Sequence, residues 1–333
     1  MRILLPIARY DYGRPDWGDS FEYLMLVGPL ESLGHEVHVF DTMPAGVDRD
    51  VLRRSLLATA RELQPDLIFT MLFEDELDEP TLRALRALAA LGNWFADDAW
   101  RFHAFSRRLA PHFDFVVTTS TGAFARYQEM SGVRAIYEPW GFNPELYRPV
   151  TRDRSIDVSF VGQRYGRREE TIMRLSSDGF PVEVWGGKWP RGRLPAADIA
   201  PVFSASKVNL NFSESSAGPL ARRGIRFKGW FLLDQLLARV APGPRQLKAR
   251  VFEIAACGAF QLTGPAEGLS DFFEIGSEIV LVDSYDELRD AVAFYLEHDA
   301  EREAIAQRAY ERCATSYSYQ TIFADVFEAA GLS

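Results

Sequence analysis

The sequence predicts an α/β protein made of two doubly wound parallel sheets in series. Short apolar runs alternate with stretches of helical periodicity, and the runs are continuous, as expected when helices cover both faces of a sheet. A segment with three prolines, Glu138–Pro149, interrupts this alternation, which then starts again. The 333 residues also exceed the roughly 250–300 at which a single hydrophobic core stops growing.

The first half of the chain contains five predicted strands and four predicted helices. The strands are expected at Ile3–Ile7, Val37–Phe40, Leu67–Leu72, Trp94–Ala96 and Phe115–Thr118. The helices are expected at Ser20–Leu33, Arg49–Leu63, Glu79–Leu91 and Thr121–Ser131. We expect these elements to form one domain over residues 1–148.

The second half repeats the pattern. Strands are expected at Asp157–Val161, Val182–Trp185, Val208–Phe212, Ala259–Leu262 and Ile279–Val282. Helices are expected at Arg168–Ser177, Ile225–Ala241, Arg250–Cys257, Tyr285–His298 and Glu301–Ala314. A second domain over residues 149–316 follows, and Tyr319–Phe327 then has the apolar spacing of one more helix.

Composition excludes several classes of protein. The formal net charge of −10 argues against a general nucleic-acid binder. Two cysteines, Cys257 and Cys313, are too few for a disulfide framework, and no apolar run approaches the roughly 18 residues of a membrane span. We therefore expect a cytoplasmic protein, with peripheral membrane contact through Arg222–Trp230 left open.

No metal site is expected. The five histidines lack His-x-x-x-His spacing, and the two cysteines lack a metal-binding spacing. Ligands of open α/β sheets bind outside the carboxyl ends of the strands, so we expect two sheets facing a cleft that holds the site. This organisation is common to transferases, phosphorylases, epimerases and binding proteins, and it does not name a reaction.

The segment from Arg245 to Thr263 is the most informative part of the chain. Lys248 and Arg250 stand at the start of a short predicted helix, Glu253 follows one turn later, and Gly258 ends the helix. Two cations beside the backbone N–H groups of a helix start can bind an anion, and a carboxylate nearby can accept hydrogen bonds from ribose hydroxyls. The alternative is a surface helix with Glu in its favoured first turn.

This segment resembles the donor-site helix of GT-B glycosyltransferases, and is most similar to the CgeB-like branch of the retaining enzymes. Lys248-Ala-Arg-Val-Phe-Glu253 and Ala255-Ala-Cys-Gly-Ala-Phe260 carry the resemblance, which continues through Phe272–Val280. It implies two Rossmann-like domains, a nucleotide-diphosphate sugar as donor, no further cofactor, and a terminal helix in 317–333 that crosses back to the first domain. Many retaining relatives carry a second Glu where this chain has Arg245, and Glu214 is a candidate substitute.

A glycine turn between the first strand and first helix of the second domain is the next candidate. Gly162 lets the backbone approach a diphosphate, and Arg164 and Arg168 supply guanidinium forks that match phosphate oxygens. In GT-B enzymes a basic residue of this loop commonly meets the donor diphosphate, and the sequence leaves open which arginine does so. Trp185, after another strand of this domain, is placed to contact the nucleotide base.

Acidic and aromatic residues follow the fourth predicted strand of the first domain, where Asp98 and His103 could orient a sugar or an acceptor. The alternative is that Asp98 caps the next helix and the aromatics belong to the core.

The resemblance implies a hexosyltransferase-type enzyme, retaining and metal-independent, in which Arg250 and Lys248 stabilise the departing diphosphate. The acceptor stays open among a glycan, a protein, a lipid and a small molecule. Two other functions remain: a sugar-nucleotide epimerase on the same fold, and a non-catalytic nucleotide- or sugar-binding protein.

Overall fold

The structure is a computed structural model that describes residues 1–74, 76–150, 153–215, 217–223, 233–234, 237 and 243–332. Its contacts divide the chain into two compact units. The first unit comprises Met1–Pro139 and Tyr319–Ser333, and the second unit comprises Trp140–Ser318. The chain passes from the first unit to the second at Pro139/Trp140, about nine residues before the expected boundary at 148/149. Most of the proline-rich segment therefore belongs to the second unit.

The first unit is built on a six-stranded parallel sheet of order β2-β1-β3-β4-β5-β6. Its strands are β1 Arg2–Ile7, β2 Glu36–Asp41, β3 Leu67–Thr70, β4 Ala90–Phe95, β5 Phe115–Thr118 and β6 Ala135–Tyr137. The chain moves outward from β1 to β2 and then returns to place β3 on the other side of β1. This reversal is a topological switch point, where open α/β sheets leave a crevice outside the strands' carboxyl ends.

Helices connect these strands. They are α1 Phe21–Ser32, α2 Arg49–Leu63, α3 Glu79–Arg86, α4 Asp98–Arg101, α5 Arg107–Leu109 and α6 Thr121–Gln128. Short 3-10 turns lie at Asp11–Gly13, Pro15–Trp17 and Ala110–His112, and a π-turn lies at Phe102–Ser106. Side chains of Ser20, Asp48, Asp78 and Ser120 accept backbone N–H hydrogen bonds at the starts of α1, α2, α3 and α6. These caps explain why the predicted helix starts lie within about one residue of the observed ones.

One local prediction in this unit was wrong, and one strand was missed. The helix expected over Glu79–Leu91 ends at Arg86, and strand β4 already begins at Ala90. The Ala- and Leu-rich sequence favours a helix locally, but Leu91 and the following residues are fully buried in parallel pairing with β3 and β5, and this tertiary pairing prevails. The sequence also gave no indication of the edge strand β6.

The second unit has a five-stranded parallel sheet of order β11-β10-β9-β7-β8. Its strands are β7 Ile156–Val161, β8 Val182–Trp185, β9 Ser206–Asn211, β10 Gln261–Thr263 and β11 Val280–Leu281. Its helices are α7 Arg168–Ser177, α8 Ala196–Ala205, α9 Pro219–Arg222, α10 Ala249–Ala256, α11 Leu269–Phe272, α12 Tyr285–Glu297 and α13 Asp299–Ser316. Helix α8 was not predicted, and the helix expected at Ile225–Ala241 lies largely outside the described residues.

This second sheet repeats the strand order of the first. Strand β7 again lies between β8 and β9, so the switch point falls between the carboxyl ends of β7 and β9. Apolar side chains of β7, β9 and β10 form the core of this unit together with residues of α7, α12 and α13.

The last helix, α14 Tyr319–Ala330, packs within the first unit. Phe323 is fully buried, with its ring 6.3 Å from Phe69 of β3 and 6.2 Å from Trp94 of β4. Arg134, next to β6, donates hydrogen bonds to the carbonyls of Ala329 and Ala330 at the end of the helix. Of the helices in the described part of the chain, none is long and apolar enough to cross a membrane.

Candidate active site

Two loops meet at the switch point of the second unit. One follows β7 and contains Gly162 and Tyr165; the other follows β9 and contains Glu214. The Tyr165 hydroxyl donates a 3.0 Å hydrogen bond to the backbone carbonyl of Glu214 and joins the loops. Gly162 has space for no side chain, because a Cβ there would lie 2.7 Å from the Phe160 ring. The glycine turn predicted from the sequence therefore lies in a closely packed crevice.

Arg168 supports both loops from the first turn of α7. Its guanidinium donates hydrogen bonds to the carbonyls of Gln163 (3.0 Å) and Phe212 (3.1 Å) and lies 3.8 Å above the Tyr165 ring. The residue is 8% exposed, and burial lowers its pKa. Arg168 thus holds the loops in place, and its predicted contact with a diphosphate remains a prediction.

Arg164 has a different environment in the same loop. Its guanidinium forms an ion pair with Glu169 and lies 5.8 Å from the Trp189 ring centre. With its side chain 39% exposed, Arg164 is the more accessible of the two predicted arginines.

The start of helix α10 carries the predicted donor-binding residues. Arg250 pairs with Glu253 one turn later, with 2.7 Å between Nη1 and Oε2. The Glu253 side chain is 5% exposed and that of Arg250 is 25% exposed. Burial raises the pKa of Glu253, while Arg250 and a hydrogen bond with Tyr147 act in the opposite direction. Tyr147, from the proline-rich segment, is a partner that the sequence did not reveal.

Lys248 and Gly258 mark the two ends of α10. Lys248 is its N-terminal capping residue, and Gly258 follows the helix with φ of 60°, in the left-handed region that favours glycine. Trp185 ends β8 and is half-buried, with the Arg191 guanidinium 4.9 Å from its ring centre.

Arg245, where retaining relatives have a second Glu, forms an antiparallel bridge with Glu214 and an ion pair with Asp283. This backbone pairing brings Glu214, the candidate substitute for the missing Glu, next to Arg245. Whether the Glu214 carboxylate takes that role stays a prediction.

In the first unit, Asp98 lies in the first turn of α4 and is 2% exposed. The Tyr127 hydroxyl donates a 2.9 Å hydrogen bond to its Oδ2. Burial raises the pKa of Asp98 to about 7, although the hydroxyls of Ser106, Thr118 and Tyr127 favour its charged form. His103 is exposed on the π-turn, with its ring perpendicular to Phe102. The structure thus does not bring Asp98 and His103 into one pocket of this unit.

A small pocket lies at the carboxyl end of the same sheet. Polar side chains of Glu22, Asp97 and Arg101 line it together with the aromatic rings of Phe73 and Phe105. Sequence reasoning missed Glu22, because a Glu in the first turn of a helix is an ordinary stabilising choice. Its position directly after the loop of β1 was the available signal.

Among the described residues, no group of three or more His, Cys, Asp or Glu side chains is arranged to hold a metal ion. Both cysteines are free and buried.

Comparison with known proteins finds similarity to glycosyltransferases. A family model described as "Glycosyl transferase-like" matches residues 167–328, a range that contains Arg168 and the whole of α10. Spore protein CgeB of Bacillus subtilis (strain 168) is 23% identical over 239 residues, which are 69% of this chain and 71% of that protein.

Solved structures share the fold over nearly the whole chain. Anabaena Alr3699/HepE in complex with UDP and glucose matches 99% of this chain and 100% of its own, with a TM-score of 0.65 at 15% identity. Sucrose-phosphate synthase from Thermosynechococcus elongatus matches 98% of both chains, with a TM-score of 0.66 at 13% identity. The expected fold, two Rossmann-like domains of the GT-B type, is confirmed.

Proposed function

Because the chain has the GT-B fold and is similar to glycosyltransferases and to the spore protein CgeB, we propose that it transfers a hexose from a nucleoside diphosphate sugar to an acceptor. One observation carries the placement of the donor in the second unit. Arg168 joins the two loops at the carboxyl edge of the sheet, and Arg250 lies near enough to lower the pKa of Arg168 while Glu214 acts in the opposite direction. Guanidinium groups in a low-dielectric crevice suit a diphosphate.

The donor diphosphate, on this proposal, contacts Arg250 and Lys248 at the start of α10. Arg250 retains 25% exposure of its side chain and is held by Glu253, so its orientation is fixed before the ligand arrives. A preorganised cation stabilises charge that develops on a leaving group without reorganisation at the moment of reaction. Glu253 therefore has a second role beyond a ribose contact, which is to position Arg250.

The reaction breaks the bond between the anomeric carbon and the diphosphate oxygen. The acceptor hydroxyl oxygen forms the new bond to that carbon, and its proton passes to the departing diphosphate. We infer retention of configuration from the resemblance to the retaining branch, and independence of a divalent ion because the basic residues named above supply the positive charge. The Anabaena protein was solved with UDP-glucose, which makes that compound the first donor to test.

The test is calorimetric titration of the full chain with UDP-glucose, followed by product analysis with and without candidate acceptors. Lys248→Ala should weaken UDP-glucose binding, whereas Arg289→Ala, an exposed ion-pair residue of α12, should not. Release of UDP with transfer or hydrolysis of glucose supports the proposal.

Two results would replace the proposal with another function. An isomerised sugar nucleotide formed from donor alone would indicate an epimerase. Tight binding without turnover towards any acceptor or water would indicate a non-catalytic sugar-nucleotide binder.

A further inference from the structure

The part of the proline-rich segment that belongs to the second unit packs along helix α10. We call this part, Trp140–Pro149, the strap. The Trp140 indole N–H donates a 3.1 Å hydrogen bond to the carbonyl of Leu247, just before α10 begins. Pro149 lies at the other end of the helix, where its ring atoms are within 3.8 Å of the position that a Cβ on Gly258 would occupy. The strap therefore contacts α10 at both of its ends.

A turn within the strap orients Tyr147. The Asn143 carbonyl accepts the backbone N–H groups of Leu146 (3.0 Å) and Tyr147 (2.9 Å). The Asn143 side-chain oxygen accepts the N–H of Glu145 (3.0 Å), a local bond typical of Asn in turns. Asn143 is 5% exposed and Tyr147 is 7% exposed. A buried ring on a turn that its own backbone hydrogen bonds close has little conformational freedom, so the strap fixes the direction of Tyr147.

The Tyr147 hydroxyl completes a group of three hydrogen-bonding side chains on α10 and the strap. Glu253 is 2.7 Å from Arg250 and also accepts a hydrogen bond from Tyr147. Arg250 is hydrogen-bonded to the same hydroxyl. A guanidinium only donates, a carboxylate only accepts, and a phenol does both, so the hydroxyl fits between the other two groups. Buried hydrogen bonds connected in this way strengthen one another.

The environment of the Glu253 carboxylate shows what the hydroxyl contributes. Burial raises the pKa of Glu253, whereas the charge of Arg250 and the hydrogen bond from Tyr147 lower it. Cys257 also faces the carboxylate, and burial raises the pKa values of the Cys257 thiol and the Tyr147 hydroxyl, so both groups stay protonated. A carboxylate that loses one of two such partners takes up a proton more readily. Once protonated, Glu253 no longer attracts the Arg250 guanidinium as an ion.

We propose that Tyr147 is a positioning residue of the donor site, whose hydroxyl holds the Glu253 carboxylate and thereby fixes Arg250 in the orientation that meets the diphosphate. The inference rests on the proposed glycosyl transfer, because Arg250 acts there on the departing group. Tyr147 touches no substrate. Its effect reaches the reaction only through Glu253 and Arg250, and this route makes the proposal testable.

The first measurement needs no substrate. The full chain is prepared with carbon-13 in its Glu side chains, and the carboxyl signal of Glu253 is identified by its absence in Glu253→Gln. Tyr147→Phe keeps the buried ring and removes only the hydroxyl. Because the lost hydrogen bond stabilises the charged carboxylate, we expect the Glu253 signal of Tyr147→Phe to titrate roughly one pH unit higher than that of wild type.

The second measurement is the release of UDP from UDP-glucose. A contact with the leaving group strengthens as charge develops, so poor orientation of Arg250 affects turnover more than donor binding. We expect kcat of Tyr147→Phe at pH 7 to fall about tenfold, as for the loss of one such hydrogen bond. The donor KM should change by less than about threefold. The acid-side midpoint of the pH profile of kcat should move upward together with the NMR midpoint.

Two controls separate positioning from packing. Tyr317→Phe removes a hydroxyl that donates a 3.0 Å hydrogen bond to the Phe272 carbonyl, from a ring 5.3 Å from Phe252 of α10. This variant should match wild type in both measurements. The second control adds Tyr147→Phe to Glu253→Gln. If Tyr147 acts through the carboxylate, the double variant should release UDP at the same rate as Glu253→Gln alone, since residues that act as a unit are not additive.

Two results would overturn the proposal. In the first, the Glu253 signal titrates at the same pH in Tyr147→Phe as in wild type. In the second, Tyr147→Phe lowers kcat by the same factor in the Glu253→Gln background, which would assign the loss to packing of α10. A chain that releases no UDP from UDP-glucose, yet shows the higher Glu253 midpoint in Tyr147→Phe, contradicts the proposed transferase and supports the hold of Tyr147 on the ion pair.

Discussion

Replacement of Arg250 by Ala should destabilise the second unit in a manner that depends on pH. The variant leaves the buried Glu253 carboxylate without the cation that lies 2.7 Å from it. An unpaired buried carboxylate takes up a proton instead of staying charged, and this limits the cost. The limit is the free energy needed to protonate an ordinary Glu of pKa about 4.3, which is about 3.7 kcal/mol at pH 7 and about 1 kcal/mol at pH 5.

The direction of this pH dependence follows from the linkage between proton binding and the free energy of unfolding. The folded-state pKa of Glu253 is already raised by burial, and loss of Arg250 raises it further. A group with a raised folded-state pKa loses stabilising free energy as pH increases from its unfolded-state value toward its folded-state value. The free-energy gap between wild type and Arg250→Ala should therefore widen by up to about 2.7 kcal/mol between pH 5 and pH 7.

Urea unfolding at several pH values, followed by circular dichroism, measures this gap. Arg245→Ala is the matched control, since it removes an arginine with an exposed partner, Asp283, and should change stability little at any pH. In the double variant Arg250→Ala/Glu253→Gln the widening should disappear, because no carboxylate remains. A gap for Arg250→Ala that stays constant from pH 5 to pH 7 would refute the buried-pair reasoning.

Four other outcomes are expected. Transferase activity should survive EDTA, and a loss of turnover that manganese restores would contradict leaving-group stabilisation by basic residues. Arg168→Met should lower the urea-unfolding free energy by about 2–4 kcal/mol, because the loop carbonyls lose buried charged donors. Wild-type stability should fall between pH 4 and pH 7, because Asp98 ionises at its ordinary pKa in the unfolded chain but only at a pKa of about 7 in the folded chain. Asp98→Asn should remove up to about 4 kcal/mol of that fall in urea titrations, and an accompanying loss of turnover would give Asp98 a catalytic role. Phe323→Ala should cost about 3–5 kcal/mol and the exposed Phe294→Ala less than about 1 kcal/mol in the same assay.

The ion pair of Arg250 with Glu253 also changes how turnover of Arg250→Ala is to be interpreted. From the sequence alone, Arg250 and Glu253 are two independent contacts, one to the diphosphate and one to the ribose. In the structure they form one buried pair, so Glu253→Gln alters the position of Arg250 as well as any ribose contact. Kinetic effects of residues that act as a unit are not additive, and only the double variant separates them.

Periodicity predicted most of the two sheets because continuous apolar runs between helical stretches have few other interpretations. It failed at Ala90–Leu91, where helix-favouring residues enter a central strand, and at Ala135–Tyr137, where a three-residue edge strand has no period to detect. Both failures have a tertiary cause, because pairing with neighbouring strands decides the conformation of these residues and local preference does not.

The candidate site was predictable in residue type but not in environment. Basic residues near a glycine turn predict an anion site whether their guanidiniums face a ligand or the protein. Arg164 and Arg168 are four positions apart, yet one is accessible and the other is buried against backbone carbonyls. No sequence pattern distinguishes these environments, since one of the carbonyls that Arg168 contacts, that of Phe212, belongs to a different strand connection.

The strand order of each sheet locates a ligand crevice, which the periodicity of the sequence does not reveal. Both sheets place their first strand between the second and the third, so each unit has one crevice that topology marks for a ligand. The crevice of the second unit contains Arg168 close to Arg250 and to Glu214. The crevice of the first unit is lined by Glu22 and Arg101 together with aromatic rings. The two topologically equivalent crevices thus differ in their charged side chains, and strand order alone does not predict that difference.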